Sequence, residues 1–192
     1  MQTAQNKKVS EEEYLELERK ADIKSEYYNG EMFAMAGASL QHNQIVSNLI
    51  QLIGAKLKNS PCKVFPSDLR LNIKKSGLFT YPDLSIVCGK PILLDNKFDT
   101  LTNPTVLIEV LSPSTQDYDK GSKFTFYREI DSLKEYILVD SIKYKVEKFK
   151  KLEQGDWLFT ETKEDEELKI ESIDCTLSLK DIYEGVEREE VG

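Results

Sequence analysis

The stretch "PTVLIEVLSPSTQDYDKGSKF", Pro104 to Phe124, governs how the rest of the chain is read, because it places one carboxylate, Glu109, inside an apolar, β-branched run. Val106, Ile108 and Val110 alternate with Leu107 and Leu111, which predicts a strand apolar on both faces. A strand covered on both sides is a central strand. An unpaired carboxylate there costs about several kcal/mol or neutralises itself, so Glu109 requires a cation. A salt bridge and a metal ion are both open.

C-terminal to this run, Gln116 to Ile130 has helical spacing with Phe124 and Tyr127 inward. Lys123, four residues before Tyr127, falls at the edge of that apolar face, about 40° away. On the N-terminal side "YPDLSIVC" predicts another strand, with Asp83 at its start. Before it, "CKVFPSDLRLNI" reads as a half-buried strand, Leu69, Leu71 and Ile73 alternating with Arg70 and Asn72. His42 to Lys58 carries Ile45, Leu49, Leu52, Ile53 and Leu57 at helical spacing. "SEEEYLELERK" opens with a capping-box pattern, and Asn29-Gly30 marks a hairpin. Near the C-terminus "EYILVD" and "KYKVEKFK" form a hairpin joined at Ser141-Ile142; "DWLFTE" adds a strand and "LSLKDIYEG" a closing helical turn.

This order predicts an α/β or α+β sheet covered by helices. No internal repeat and no Pro-, Gly- or Ser-rich linker divides the chain, so one domain is expected over residues 1–192. Within it lie an N-terminal helix and hairpin at 10–37, a core at 41–150, and C-terminal strands with a helical turn at 151–192.

A chain of 192 residues with 40% hydrophobic and 31% charged residues has the composition of a soluble globular protein. Its net charge of -8 argues against a nonspecific grip on polyphosphate, although it leaves room for a local basic strip. Cys62, Cys88 and Cys175 contain no CxxC pair and are too scattered for a disulfide framework; Cys88 is expected to pack as a small hydrophobe. With His42 the only histidine, zinc catalysis and a Ser-His-Asp system have little to work with. No signal-peptide core and no 18-residue apolar run occur, so a cytoplasmic location is expected.

Asp83, Glu109 and Lys123 together form a constellation able to do chemistry. Carboxylates on adjacent strands can share a hard divalent cation, Mg²⁺ or Mn²⁺, completed by water and a backbone carbonyl such as that of Val110. A lysine beside it would orient water or steady transition-state charge, which suits phosphodiester hydrolysis. The same residues also admit a plainer reading: Asp83 fixing a turn after Pro82, Lys123 snorkelling, and a buried Glu109–Lys123 salt bridge without catalysis.

"YPDLSIVC", "PTVLIEVLSPST", "YDKGSKFTFY" and "EYILVD", in this order, resemble the Uma-type family of restriction-endonuclease-like proteins, long carried as a domain of unknown function. "YYNGEMFAMAGASLQHNQIVSNL" matches that family's opening, so the resemblance covers nearly the whole chain. It implies a PD-(D/E)xK nuclease superfamily fold, a mixed central sheet flanked by helices, and a metal-dependent endonuclease acting on DNA. Asp83 and Glu109 match the two strand carboxylates. The superfamily's lysine, expected two residues after the Glu, is Leu111 here; the resemblance implies that Lys123 on the following helix replaces it. Glu31 and His42 fall on family motif positions, with Tyr127 as support and Asp119 as a helix cap. Analogy with nucleases of this fold implies a homodimer. Two alternatives stand beside it. One is a binding or assembly module that keeps the fold and an inert Glu109–Lys123 ion pair. The other is hydrolysis of another phosphodiester such as RNA or a small nucleotide, which the sequence does not separate from DNA cleavage.

Overall fold

A computed structural model describes residues 8–113 and 116–187; Ser114 and Thr115 of the opening stretch and the acidic end beyond Glu187 lie outside the described residues. The chain runs α1 (Glu11–Glu18), β1 (Ser25–Tyr28), β2 (Glu31–Ala34), α2 (Leu40–Lys56), β3 (Cys62–Pro66), β4 (Arg70–Ile73), β5 (Leu78–Thr80), β6 (Leu84–Cys88), β7 (Thr100–Leu101) and β8 (Val106–Leu111). It continues through α3 (Gln116–Tyr118), a π-helical turn (Asp119–Lys123), α4 (Phe124–Tyr127), β9 (Glu135–Asp140), β10 (Lys145–Lys151), β11 (Trp157–Lys163), β12 (Glu167–Ile170), a 3-10 turn (Glu171–Ile173), β13 (Cys175–Ser178) and α5 (Leu179–Ile182).

Among the described residues the strands form a six-stranded sheet ordered β11-β10-β9-β8-β6-β3, a five-stranded sheet ordered β2-β1-β5-β4-β7, and the β12-β13 pair. The doubly apolar run is the centre of the larger sheet. All six residues of β8 are buried, between β6 on one side and β9, its parallel neighbour, on the other. Val106, Ile108 and Val110 face a core built with Ile45, Leu49 and Ile53 of α2. Leu107 and Leu111 face a second core with Tyr127, Ile130, Leu133 and Tyr136. The capping box at Ser10 and Glu13 starts α1, and the Asn29-Gly30 turn joins β1 to β2 with positive φ at both residues.

The run from Cys62 to Ile73 is not one strand. It breaks after Pro66, where Leu69 N–H donates to the Pro66 carbonyl, and its halves enter different sheets as β3 and β4. Arg70 and Asn72 are buried rather than solvent-facing. Burial is tolerable because the Arg70 guanidinium donates to Thr100 Oγ1 and to the Tyr81 hydroxyl, both at 3.0 Å, and faces Asp99 at 3.1 Å. The short strands β5 and β7 carry too few residues to show a periodicity. The cysteine reading also changes: β3 and β6 pair antiparallel with Cys62 opposite Cys88, and these two form a disulfide, leaving Cys175 as a buried free thiol. Cross-strand register brings them together, and spacing along the chain carries no trace of it.

Candidate active site

Antiparallel pairing of β6 with β8 sets Leu84 opposite Ile108, so Asp83, one residue before β6, lies across from Glu109. The Asp83 N–H donates to Glu109 Oε2 at 3.2 Å, and the Val110 N–H donates to Asp83 Oδ2 at 2.8 Å. The same Asp83 oxygen lies 3.1 Å from His42 Nε2, at the start of α2, whose N-terminus is capped by Ser39. Glu109 Oε1 accepts from the Tyr127 hydroxyl at 2.7 Å and faces Lys123 Nζ at 3.0 Å. The three residues singled out by patterning are therefore contiguous, with His42 and Tyr127 at either end.

Lys123 has further carboxylate partners, Asp119 at 3.2 Å and Glu26 at 3.4 Å. Glu26, on β1, also accepts from Tyr118 at 3.2 Å and from Thr80 Oγ1. Sequence reading missed Glu26 and placed Asp119 as a cap; both turn inward to the ammonium. The available signal was that Glu26, like Glu109, is a carboxylate within a strand rich in apolar and aromatic neighbours. Glu31 is exposed, and its cross-strand partner is Tyr28.

Lys123 is 6% exposed, so it does not lie at the edge of the helix as regular spacing predicted. The π turn from Asp119 to Lys123 is the reason: i→i+5 bonding puts an extra residue into the turn and shifts the angular relation of residues on either side. Such turns recur at functional sites.

Burial pushes the Glu109 carboxyl up, to about 8; the Lys123 ammonium opposes this rise, and the Asp119 and Asp83 charges add to it. Burial works against the charge of Lys123, yet Glu109, Glu26 and Asp119 together hold its ammonium well above the ordinary lysine range. Burial, followed by the Glu109 charge, raises the Tyr127 hydroxyl well above its ordinary value, so it serves Glu109 as a proton donor in a hydrogen bond.

Asp83 and Glu109 supply hard oxygen donors from adjacent strands, the chemistry Mg²⁺ favours when water completes its shell. Among the described residues no group of three or more His, Cys, Asp and Glu side chains is arranged to hold a metal. The donor set thus fits a water-rich two-carboxylate site, and it does not fit an all-protein cage. Among the described residues, the buried His42 Nδ1 has no hydrogen-bond partner.

Residues 11–180 match the model of the Uma2 family, described as "Putative restriction endonuclease". The uncharacterised protein sll1609 of Synechocystis is 40% identical over 161 residues, covering 84% of this chain and 91% of that protein. A second Synechocystis relative, the uncharacterised slr1290, is 35% identical over 179 residues, 93% of each. The fold matches the crystal structure of a "putative nuclease belonging to DUF820" from Anabaena variabilis with a TM-score of 0.74 at 20% identity, covering 91% of this chain and 97% of the other. The architecture is accordingly a mixed α+β fold of the restriction-endonuclease-like kind.

Proposed function

The chain belongs to the Uma2 family, and from that premise we propose that it is a divalent-metal-dependent endonuclease that hydrolyses phosphodiester bonds in DNA. The observation that carries this reading is Glu109, a carboxylate in a doubly buried central strand, set against Asp83 on one side and Lys123 on the other. In the proposal Asp83 and Glu109 hold Mg²⁺ or Mn²⁺ together with the Val110 carbonyl. When bound, the cation supplies Lewis-acid polarisation of the phosphate and helps ready a water for attack. The Val110 N–H and His42 orient Asp83, and Tyr127 orients Glu109. Lys123 supports the attacking water or the charge that builds on the phosphate. Glu31, exposed on the hairpin, is kept as a peripheral carboxylate.

The test is nicking of supercoiled plasmid with Mn²⁺ at low salt, comparing the native protein with Glu109→Gln and Lys123→Met. Loss of cleavage in both, with the fold intact by circular dichroism, is the expected result. Absence of cleavage by the native protein on plasmid, single-stranded DNA and RNA defeats it.

One observation favours a second reading, a non-catalytic binding or assembly module. The Lys123 ammonium already faces Glu109 at 3.0 Å, so the buried carboxylate of the central strand has a cation from the protein itself. Calorimetry separates the two, since only the nuclease reading requires Mn²⁺ binding that Asp83→Asn and Glu109→Gln abolish. A homodimer belongs to the same proposal, with β3 and β11 as the outer strands of the larger sheet. Sedimentation equilibrium tests it. Among the described residues no helix is long and apolar enough to cross a membrane.

A further inference from the structure

Tyr28, Phe33 and Tyr118 are 38%, 49% and 37% exposed, and all border the cluster around Lys123. Cross-strand register shows why. Glu26 pairs with Phe33 and Tyr28 with Glu31, and directly paired residues share a face, as do residues two apart. Glu26 points to Lys123, so Phe33 and Tyr28 lie on the side of the hairpin that faces the site. The opposite face holds Tyr27 and Met32, which pack with Tyr14 and Phe79. Tyr118 joins the same surface from α3: its hydroxyl donates to Glu26, and its ring centroid lies 5.6 Å from Lys123 Nζ. Tyr28 leans on Phe126 of α4, with ring centroids 4.9 Å apart, which braces it beside the site.

The charges around these rings are unsuited to gripping a duplex, whose affinity comes from lysines and arginines against phosphate. Lys24, two residues before Glu26, faces Asp68 at 2.5 Å, and Lys120, next to Asp119, faces Glu147 at 2.9 Å. Lys123 is enclosed by carboxylates. Stacking of a base on an aromatic ring adds affinity beyond contacts to phosphate, and it requires bases that are unpaired, so exposed rings beside few free cations favour a single strand over a duplex.

We propose that the site takes an unpaired stretch of nucleic acid, with a base stacked on Phe33, Tyr28 and Tyr118 flanking it, and the adjoining backbone led toward Asp83 and Glu109. The inference rests on the nuclease reading and narrows its substrate to single-stranded segments.

The experiment has a binding arm and a cleavage arm. Fluorescence anisotropy, with Ca²⁺ replacing Mg²⁺ to hold back hydrolysis, compares a labelled single-stranded DNA oligonucleotide, its RNA counterpart and the same DNA annealed to its complement. The native protein is expected to bind a single strand at least about tenfold more tightly than the duplex. Phe33→Ala weakens that binding between about fivefold and about a hundredfold, and Phe33→Trp, which keeps a stacking ring, restores it. Equal or tighter binding of the duplex overturns the proposal, as does an unchanged affinity in a folded Phe33→Ala protein. Cleavage with Mg²⁺ is run on the same DNA and RNA. If the duplex is cut and Phe33→Ala cuts it as well as the native protein, stacking is wrong and the nuclease reading stands. If single strands are bound through Phe33 and never cut, the nuclease reading fails and the stacking surface stands. If nothing is bound or cut, both fall.

Discussion

Lys123 has three N–H donors, and Glu109, Asp119 and Glu26 lie 3.0, 3.2 and 3.4 Å from its nitrogen. Removing the ammonium leaves buried carboxylates facing one another, and breaking a buried ion pair from one side costs about 3–5 kcal/mol. Lys123→Met is therefore expected to lower stability by about that amount in urea unfolding without metal. If the carboxylates bind a divalent cation, millimolar Mn²⁺ recovers part of the loss, because it stabilises only the state that binds it. No recovery would place the cluster outside any metal site. Glu26→Gln tests the residue that patterning missed. It removes one charged partner of Lys123 while leaving Asp83 and Glu109 in place, so Mn²⁺ affinity measured by calorimetry should hold while cleavage falls about tenfold or more, the loss expected for about 1.4 kcal/mol of transition-state stabilisation.

At the scale of elements, the π turn and the β3–β6 pair carry the most consequence. Deleting Gly121 takes one residue from the turn and rotates Asp119 by about 100° relative to Lys123. Helical circular dichroism should persist, whereas metal-dependent cleavage should be lost; cleavage at the native level would show that the wide turn is incidental. The disulfide makes a separate prediction. Denatured without reductant, the protein should titrate a single thiol, Cys175, and after reduction three. Three thiols before reduction would show that Cys62 and Cys88 face each other unbonded.

At the scale of the molecule, the candidate site lies where the six-stranded sheet, the five-stranded sheet and the α3–α4 segment meet. Asp83 and Glu109 come with the first, Glu26 with the second, and Asp119, Lys123 and Tyr127 with the third. The N-terminal elements are tied in by Arg19, after α1, which donates to Asp99 at 2.7 Å and to Asp95 at 2.6 Å. The hydrogen bond from Arg19 is the main reason Asp99 sits below its ordinary 3.8, at about 2. A depressed carboxyl contributes stability that is complete above its unfolded value and is lost as pH falls through its folded value. The urea midpoint should therefore drop between about pH 4 and pH 2, and it should drop less steeply in Arg19→Gln. Parallel curves for the two proteins would remove Asp99 from the acid response.

A run apolar on both faces, Val106–Leu111, is enough to place β8 at the centre of a sheet and to mark Glu109 as needing a cation. Amphipathic spacing likewise located α2, and the "PD" and "DKGSK" segments brought Asp83 and Lys123 to notice. The strand and helix patterns are local properties, because side-chain direction there follows from backbone periodicity, whereas the inward direction of Lys123 comes from the π turn that regular spacing did not give. Tertiary structure alone decided the rest. Glu26 reaches Lys123 only because the N-terminal hairpin docks beside the α3–α4 segment, Cys62 meets Cys88 only through strand register, and Arg70 is buried only because the five-stranded sheet is covered and its guanidinium is bonded. Register and docking are set by packing between distant segments, and no local period encodes them.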